Sequence, residues 1–458
     1  MKPILFDISQ TRERLVSQSG LALAGALLGQ TQLRQRMNAV YLAARPEPEI
    51  CHGDVVLAMT GLLCIGKTDF DAIEAFRNDS FFRAALGLAR APSEGTLRQR
   101  IEDLAAHDPQ GGTCIKIILE ESAELAARCA PKLKPSFKDY VVMDVDVSVL
   151  DNSGTKKEGV SRTYQGMDGY APIFAHLGEE GYLIHAELRE GSQHCQKQTP
   201  KFLKEALAYA QRVTKNELLV RMDAGHDAVE NIRVFHREKV RYIIKRNIRK
   251  EPQDEWLEIA QAHGSWSEPR EGKTVWRGET WREIDGLMPR VVFEVTQRTI
   301  LSDGQRLLGE GEIEVETYWT NLKASPEEVI ALYHAHGTSE QFHAEFKSDL
   351  GLERMPSGKF AANAMLFQLG LLAYNVLRLI GQNGLAADRK LPQERRAPLR
   401  KKVGRRRVRS VMQDMMYMAA RLTRHAGRWG LSFWAENPWR GIWESLYARF
   451  TRLAHSTG

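Results

Sequence analysis

The chain has 458 residues, 43% of them apolar and 27% charged, an ordinary balance for a soluble protein with a substantial core and two to four structural units. Its 64 Lys+Arg against 58 Asp+Glu leave a net charge of +6, a modest basic excess that suits a polyanionic partner without requiring one. Five widely spaced cysteines with no C-x-x-C pair argue against a structural zinc site and suit a reducing cytosol.

Residues 1–135 read as mostly helical. The first twelve lack the basic-then-apolar pattern of a secretion signal, and the apolar run 21–29 is too short to span a bilayer. Residues 71–86 have helical periodicity through Ile73, Phe76, Phe81 and Phe82, and Gly87 marks a turn. Ser93 and Thr96 then supply helix N-cap signals before a run carrying Arg98 and Arg100. This reads either as a helix-turn-helix reader of DNA or as an ordinary helical hairpin.

The pattern changes at Asp139. Residues 140–150 (YVVMDVDVSVL) alternate as a strand does, and strand-like runs follow at 171–176 and 182–188. A helical stretch at 197–213 leads to a short apolar strand, 218–222, that ends at Asp223; a helix and a strand at 240–245 come next. A three-stranded meander followed by helix, strand, helix, strand is the order of a ribonuclease-H-like α/β fold, which by itself implies no function.

Residues 248–315 are rich in Trp, Glu, Arg and Gly and read as a β-rich insertion. Its Trp256, Trp266, Trp276 and Trp281 suit either a small β core or stacking on an unpaired base, the core being favoured for any single one. A last strand is predicted at 318–322 and a helix from Pro326 onward. Residues 361–380 are long and apolar enough for a membrane span, but Asn363, Gln368, Asn375 and Arg378 predict a buried core helix instead. The run 389–409 is densely basic and suits phosphate contact or a solvated linker. A helical C-terminus with Met412, Met415, Met416 and Met418 follows, a helix core by default. The predicted layout is therefore a helical N-terminal DNA-binding region (1–135), a first core part (136–247), the insertion (248–315), a second core part (316–385), and a basic linker with a helical C-terminal region (386–458).

Three sets of acids stand out. Asp144, Asp146 and Ser148 lie two apart and share one strand face, where carboxylates oppose strand propensity; the alternative is a solvated edge strand. Asp223 sits at the carboxyl end of an apolar strand before Ala224-Gly225-His226-Asp227, placed to point into a site or to cap the next helix. Tyr333, His336, Glu340 and Lys347, at about 100° per residue, fall in one helical stripe, with Glu345 about 140° away from Glu340; the plain reading is a solvated face. Carboxylates from separate elements suit two-metal phosphodiester chemistry, and with no Cys/His cluster they suit two Mg²⁺ ions, with Mn²⁺ as substitute, better than zinc.

At these residues the chain resembles bacterial insertion-sequence DDE transposases that carry a Y-x2-R-x3-E-x6-K signature, here Tyr333, His336, Glu340 and Lys347 with His in place of Arg. The stretches 51–54 (CHGD), 87–100 (GLARAPSEGTLRQR), 222–227 (MDAGHD) and the helix FAANAMLFQLGLLAYNVLRL look most like the insertion-sequence-1380 group. The resemblance implies a ribonuclease-H-like core with a β-rich insertion between the second and third acids. It implies Asp146, Asp223 and Glu340 as catalytic metal ligands, with Asp144 as rival to Asp146. It also implies Tyr333, His336 and Lys347 at DNA phosphate, and Arg98, Arg100, Arg405, Arg406 and Arg407 as further DNA contacts. The implied activity is binding of terminal inverted repeats with strand cleavage and transfer. Double-stranded DNA would be the partner of a homodimer or larger synaptic complex in the cytoplasm, away from membranes. A catalytically silent DNA-binding relative and another ribonuclease-H-like nuclease are the competing readings.

Overall fold

A computed structural model describes residues 5–43, 47–107, 112–248, 250–301, 303, 305–307, 311–393, 396–398 and 403–455. The protein is mixed α/β and divides into two compact units, Ala105–Asn375 and a second made of Met1–Leu104 with Val376–Gly458.

The first unit is built on one nine-stranded sheet. Its strands are β1 (Tyr140–Val147), β2 (Ile173–Leu177), β3 (Tyr182–Glu187), β4 (Glu217–Met222), β5 (Arg241–Lys245), β6 (Ser265–Arg270), β7 (Lys273–Trp281), β8 (Arg290–Arg298) and β9 (Glu312–Thr320). Their spatial order is β6-β7-β8-β9-β5-β4-β1-β2-β3. The parallel pairs β1–β4 and β4–β5 lie in the middle, and antiparallel strands flank them. Central parallel strands are covered on both faces, which explains why β1 and β4 read as near-continuous apolar runs. On one face Val142, Leu219, Ile243, Val292 and Tyr318 pack with Leu322, Val329 and Ile330. Farther along the same face Phe174, paired with Asp146, meets Phe346 and Phe367 with ring centroids 5.4 and 5.5 Å apart, and on the other face His185 stacks on Phe202 at 4.5 Å. Helices α1 (Thr113–Cys129), α2 (Thr199–Val213) and α3 (Val229–Glu238) belong to the same unit.

The insertion is not a separate β piece. Its hairpin strands continue the core sheet through β9, which pairs along its length with β8 and at Tyr318, Trp319 and Thr320 with β5. The last strand therefore begins at Glu312, six residues before the predicted one, because the alternation of Ile313 and Val315 with Glu312, Glu314 and Glu316 already reads as strand. The insertion also contains a helix, α4 (Gln253–His263), that buries Trp256 and Leu257. Trp256 and Trp276 are core residues, whereas Trp266 and Trp281 are exposed.

Helix α5 (Pro326–His334) begins at a full capping box: Ser325 accepts from the Glu328 amide, the Glu328 side chain accepts from the Ser325 amide, and Pro326 stands where no amide is needed. Helix α7 (Phe360–Asp388) is, among the described residues, the one helix long and apolar enough to cross a membrane, and 94% of that apolar window is buried in the fold. Several of its polar side chains donate within the fold. Asn363 donates to Tyr170 Oη and the Ser357 carbonyl, Gln368 to the Ala186 carbonyl, Asn375 to the Leu183 carbonyl, and Arg378 to the Arg406 carbonyl.

In the second unit, the predicted helix at 71–86 is a 3-10 turn, Phe70–Ala75, and a short helix, Ser80–Leu86. Asp79 caps the latter by accepting from the Phe81 amide, and Gly87 ends it at φ +66°. The C-terminal region is helical only in part. After Val408–Val411 and a π-helical turn, Met412–Met416, strands Ala420–His425 and Arg428–Ser432 form a hairpin that pairs with Arg14–Val16. Ala426 and Gly427 turn it with positive φ of 48° and 77°, as a two-residue primed turn requires. Helix Arg440–His455 follows. Met412, Met415, Met416 and Met418 are buried, and none of the five cysteines is in a disulfide.

Candidate active site

The parallel pairing of β1 with β4 sets the geometry. Asp144 stands opposite Arg221 and Val145 opposite Met222, so the next residue on each strand, Asp146 and Asp223, emerges at adjacent strand ends. Asp146 is one-quarter exposed and Asp223 about half, at 25% and 47%. Asp146 Oδ1 accepts from the Val147 amide at 2.7 Å, and His343 Nε2 lies 3.4 Å from Oδ2. Burial pushes the Asp146 carboxyl up, but the imidazoles of His343, His226 and His336 together hold it below the usual carboxylate range.

Asp223 stands at the N-cap position of the 3-10 turn Ala224–His226, but its side chain makes no capping bond. Its Oδ1 instead meets Nδ1 of the buried His226 at 2.6 Å. A side chain at Gly225 would place its Cβ 3.3 and 3.4 Å from the two Asp223 oxygens, so glycine keeps that approach open. Two tyrosines sense both acids. Burial of its hydroxyl and the charges of Asp146 and Asp223 push Tyr164 up to about 12, and Tyr333 is raised by burial, Asp223, Glu316 and Asp146. Tyr164 also donates to the Val147 carbonyl at 3.2 Å.

Asp144 serves differently. It is 4% exposed and gripped by Arg221, whose Nε and Nη2 donate to Oδ1 and Oδ2 at 2.6 and 2.7 Å. His336 Nδ1 lies 2.9 Å from the same Oδ1. Burial alone would raise this carboxyl; Arg221 and His336 overcome that and hold it low, while Asp144 lifts the His336 imidazole above its ordinary value against its burial. With both oxygens engaged, Asp144 is the weaker of the two candidates for a metal.

The third acid departs from the uniform helix assumed for its stripe. Past α5 the chain makes a 3-10 turn, Ala335–Thr338, then helix α6 (Ser339–Ala344), then a π-helical segment, Glu345–Asp349. A constant 100° step therefore does not describe 333–347. Tyr333 stacks near-parallel on His336, centroids 6.0 Å apart, and Lys347 donates to Ser148 Oγ and the Val149 carbonyl at 3.3 and 3.0 Å. Glu345 is buried. Glu340 is exposed and makes no hydrogen bond or ion pair among the described residues. Asp146 and Asp223 thus come together as oxygen donors that fit a hard cation, with Glu340 outside them. No group of three His, Cys, Asp or Glu side chains converges on one point among the described residues.

The arginines divide by burial. Arg98 is exposed, pairs with Glu94 at 2.6 Å and lies over Phe70. Arg100 is turned inward, 4% exposed, against His52 Nδ1 at 2.7 Å and the Ile50 carbonyl. Arg406 is likewise buried, paired with Asp414 and lying over Trp439 at 4.3 Å. Arg405 is partly exposed and Arg407 exposed. In the basic run, Arg395, Arg400, Lys401 and Lys402 lie outside the described residues.

Arg221 was not singled out by sequence reasoning, and His343 was weighed only as a neighbour of Glu340. His343 had a signal, since it lies three residues beyond Glu340 and seven beyond His336, on the same stripe. Arg221 had one too, a lone cation inside an apolar strand run.

The family profile "Transposase DDE domain group 1" matches residues 6–455. No curated protein matches the chain by sequence. Among solved structures, the cryo-EM structure of a piggyBac transposase synaptic complex with hairpin DNA is similar at 10% identity and a TM-score of 0.42, over 95% of this chain and 81% of that one.

Proposed function

As the chain belongs to the transposase DDE domain group 1 family, we propose that it is a DNA transposase that binds terminal inverted repeats, cleaves strands at the element ends and transfers them. The observation that carries this reading is the emergence of Asp146 and Asp223 side by side at the ends of a parallel strand pair. The order β3-β2-β1-β4-β5, with β2 alone running opposite to the other four, supports a ribonuclease-H-like core. Tyr333, His336, Glu340 and Lys347 support the reading as an insertion-sequence transposase, and the stretches 51–54, 87–100, 144–148, 222–227 and 360–379 support the insertion-sequence-1380 group within it.

Asp146, Asp223 and Glu340 would hold two Mg²⁺ ions, or Mn²⁺ in their place. Bound there, such ions supply activation of the attacking oxygen and stabilisation of the leaving one. Glu340 is exposed and unbonded, so its carboxylate is free to meet the two aspartates. His343 and His226 orient the carboxylates they touch. Arg98, Arg405 and Arg407 contribute to backbone contact with double-stranded DNA, a salt-sensitive and sequence-independent attraction. Paired ends imply a homodimer or higher synaptic complex, acting in the cytosol.

A second reading, a catalytically silent DNA-binding relative, is favoured by Glu340 standing apart from Asp146 and Asp223. The deciding experiment is cleavage of a labelled duplex carrying the ends of the flanking element, with Mg²⁺ or Mn²⁺ against EDTA. Metal-dependent cuts at the element boundary support the transposase. Binding of the ends without cutting under either metal supports the silent relative.

A further inference from the structure

Beneath the three proposed acids lies a second tier with the same spacing. Asp144 is two residues before Asp146 on β1, and Arg221 is two before Asp223 on β4; in strands, residues two apart face the same way. His336 is four before Glu340. Arg221 and His336 both meet Asp144 in the interior. Arg221 also donates its Nη1 to the Leu332 carbonyl at 2.6 Å, which ties the guanidinium to helix α5. One planar cation therefore joins three elements, β1, β4 and the helical segment leading to Glu340, with each of its three nitrogens in use.

We propose that Arg221 is the positioning residue of this site: through Asp144 and the Leu332 carbonyl it fixes the mutual placement of the elements that carry Asp146, Asp223 and Glu340. The inference rests on the reading of those three as metal ligands. A guanidinium suits the task because its fork engages both carboxylate oxygens in one plane and retains its charge when buried. Lysine supplies a charge at one point and cannot hold Asp144 and Leu332 in a fixed plane. A merely structural role, neutralising a buried aspartate, makes a different prediction. It is satisfied by removing both charges, since replacing a buried ion pair with apolar side chains of similar size is often neutral or stabilising.

The test uses the full-length protein with Arg221→Lys, Arg221→Met and the double variant Asp144→Leu/Arg221→Leu. Thermal unfolding, binding of end-bearing duplex, Mn²⁺ binding by isothermal titration, and cleavage over a Mn²⁺ series are measured on each. The expected result is a double variant that melts within a few degrees of the unaltered protein and binds DNA normally. It cleaves about 100-fold more slowly, or needs about tenfold more Mn²⁺, the scale set by an ångström of misplacement. Arg221→Lys shows the same loss at intact charge. A double variant cleaving within about threefold of the unaltered protein at the same Mn²⁺ overturns the proposal. Should the double variant not fold, Arg221→Lys decides: unchanged Mn²⁺ affinity and cleavage overturn it. If the unaltered protein binds Mn²⁺ but does not cut, the transposase reading fails. The tier is then judged on Mn²⁺ affinity alone, where equal affinity of Arg221→Lys counts against it.

Discussion

His336 Nδ1 sits 2.9 Å from Asp144 Oδ1, which holds this face of the imidazole toward the interior. The arginine usual at this place in the signature would bring a second permanent cation beside Arg221, which already holds both oxygens of Asp144. His336→Arg is therefore expected to lower stability, by about 1–3 kcal/mol from crowding and like charge, and not to raise cleavage. Denaturant unfolding and the cleavage assay, run side by side, check it; a more active and equally stable variant contradicts the inward role.

Arg221→Ala leaves a buried carboxylate without its main partner. The cost is expected at about 3–5 kcal/mol, the scale for breaking a buried pair from one side. Urea unfolding measures it, and a change below about 1 kcal/mol means that Asp144 finds water or His336 sufficient.

Glu340→Gln and Glu345→Gln separate two acids five residues apart. Glu340 is exposed and unbonded, so its amide is expected to leave stability within about 0.5 kcal/mol and DNA binding intact while abolishing strand cleavage. Glu345 is 1% exposed, and its amide is expected to show in the melting temperature first. Normal cleavage by Glu340→Gln, with an inactive but stable Glu345→Gln, reverses the assignment.

Glu316 provides a pH signature away from the site. It meets Lys245 Nζ at 2.5 Å, Tyr318 Oη at 2.7 Å and His334 Nε2 at 3.0 Å. Burial works against its charge, yet these partners hold its pKa at about 2. A carboxyl lowered in the folded state adds stability above its ordinary pKa and loses it as pH falls. The contribution is thus complete above about pH 5 and fades between about 4.5 and 2. Glu316→Gln is expected to cost about 1–2 kcal/mol at neutral pH, after allowance for solvent screening, and to flatten the stability curve in that acid window. Equal slopes for both proteins between pH 5 and 2.5 refute the assignment.

Two arginines from stretches expected to meet DNA should behave in opposite ways. Arg98→Ala is expected to leave unfolding unchanged while weakening duplex binding and lowering the salt slope by about one. Arg406→Ala removes a buried partner of Asp414 and is expected to lower stability by about 2–4 kcal/mol before any effect on DNA is seen. Salt titrations of binding, paired with melting curves, separate the two.

The strands that frame the acids were legible because period-two apolar patterns are local: the runs at 140–150, 182–188 and 218–222 appear within a residue or a few of their observed bounds. The adjacency of Asp146 and Asp223 was not, since it depends on the register between strands 77 residues apart, which no local pattern encodes. The change from 3-10 to α to π winding over 335–349 was hidden for a related reason. Apolar spacing reports which residues are buried, not how many residues each turn contains. The C-terminal hairpin did leave a trace, in Ala426-Gly427 between alternating runs, though methionine-rich helical periodicity just before it masked the change. Arg100 and Arg406 show the limit of charge as a guide to surface: a guanidinium with a partner and an aromatic face is stable inside.

Strand β9 belongs at once to the insertion and to the core, bonded to β8 on one side and to β5 on the other. Mechanically, this makes the insertion a cantilever rooted in the sheet that carries Asp146 and Asp223. A load on its outer hairpin passes from ladder to ladder through five strands to β4 and β1. Whatever grips the exposed Trp266 on β6 is thereby pulling on the same plate from which the two aspartates project.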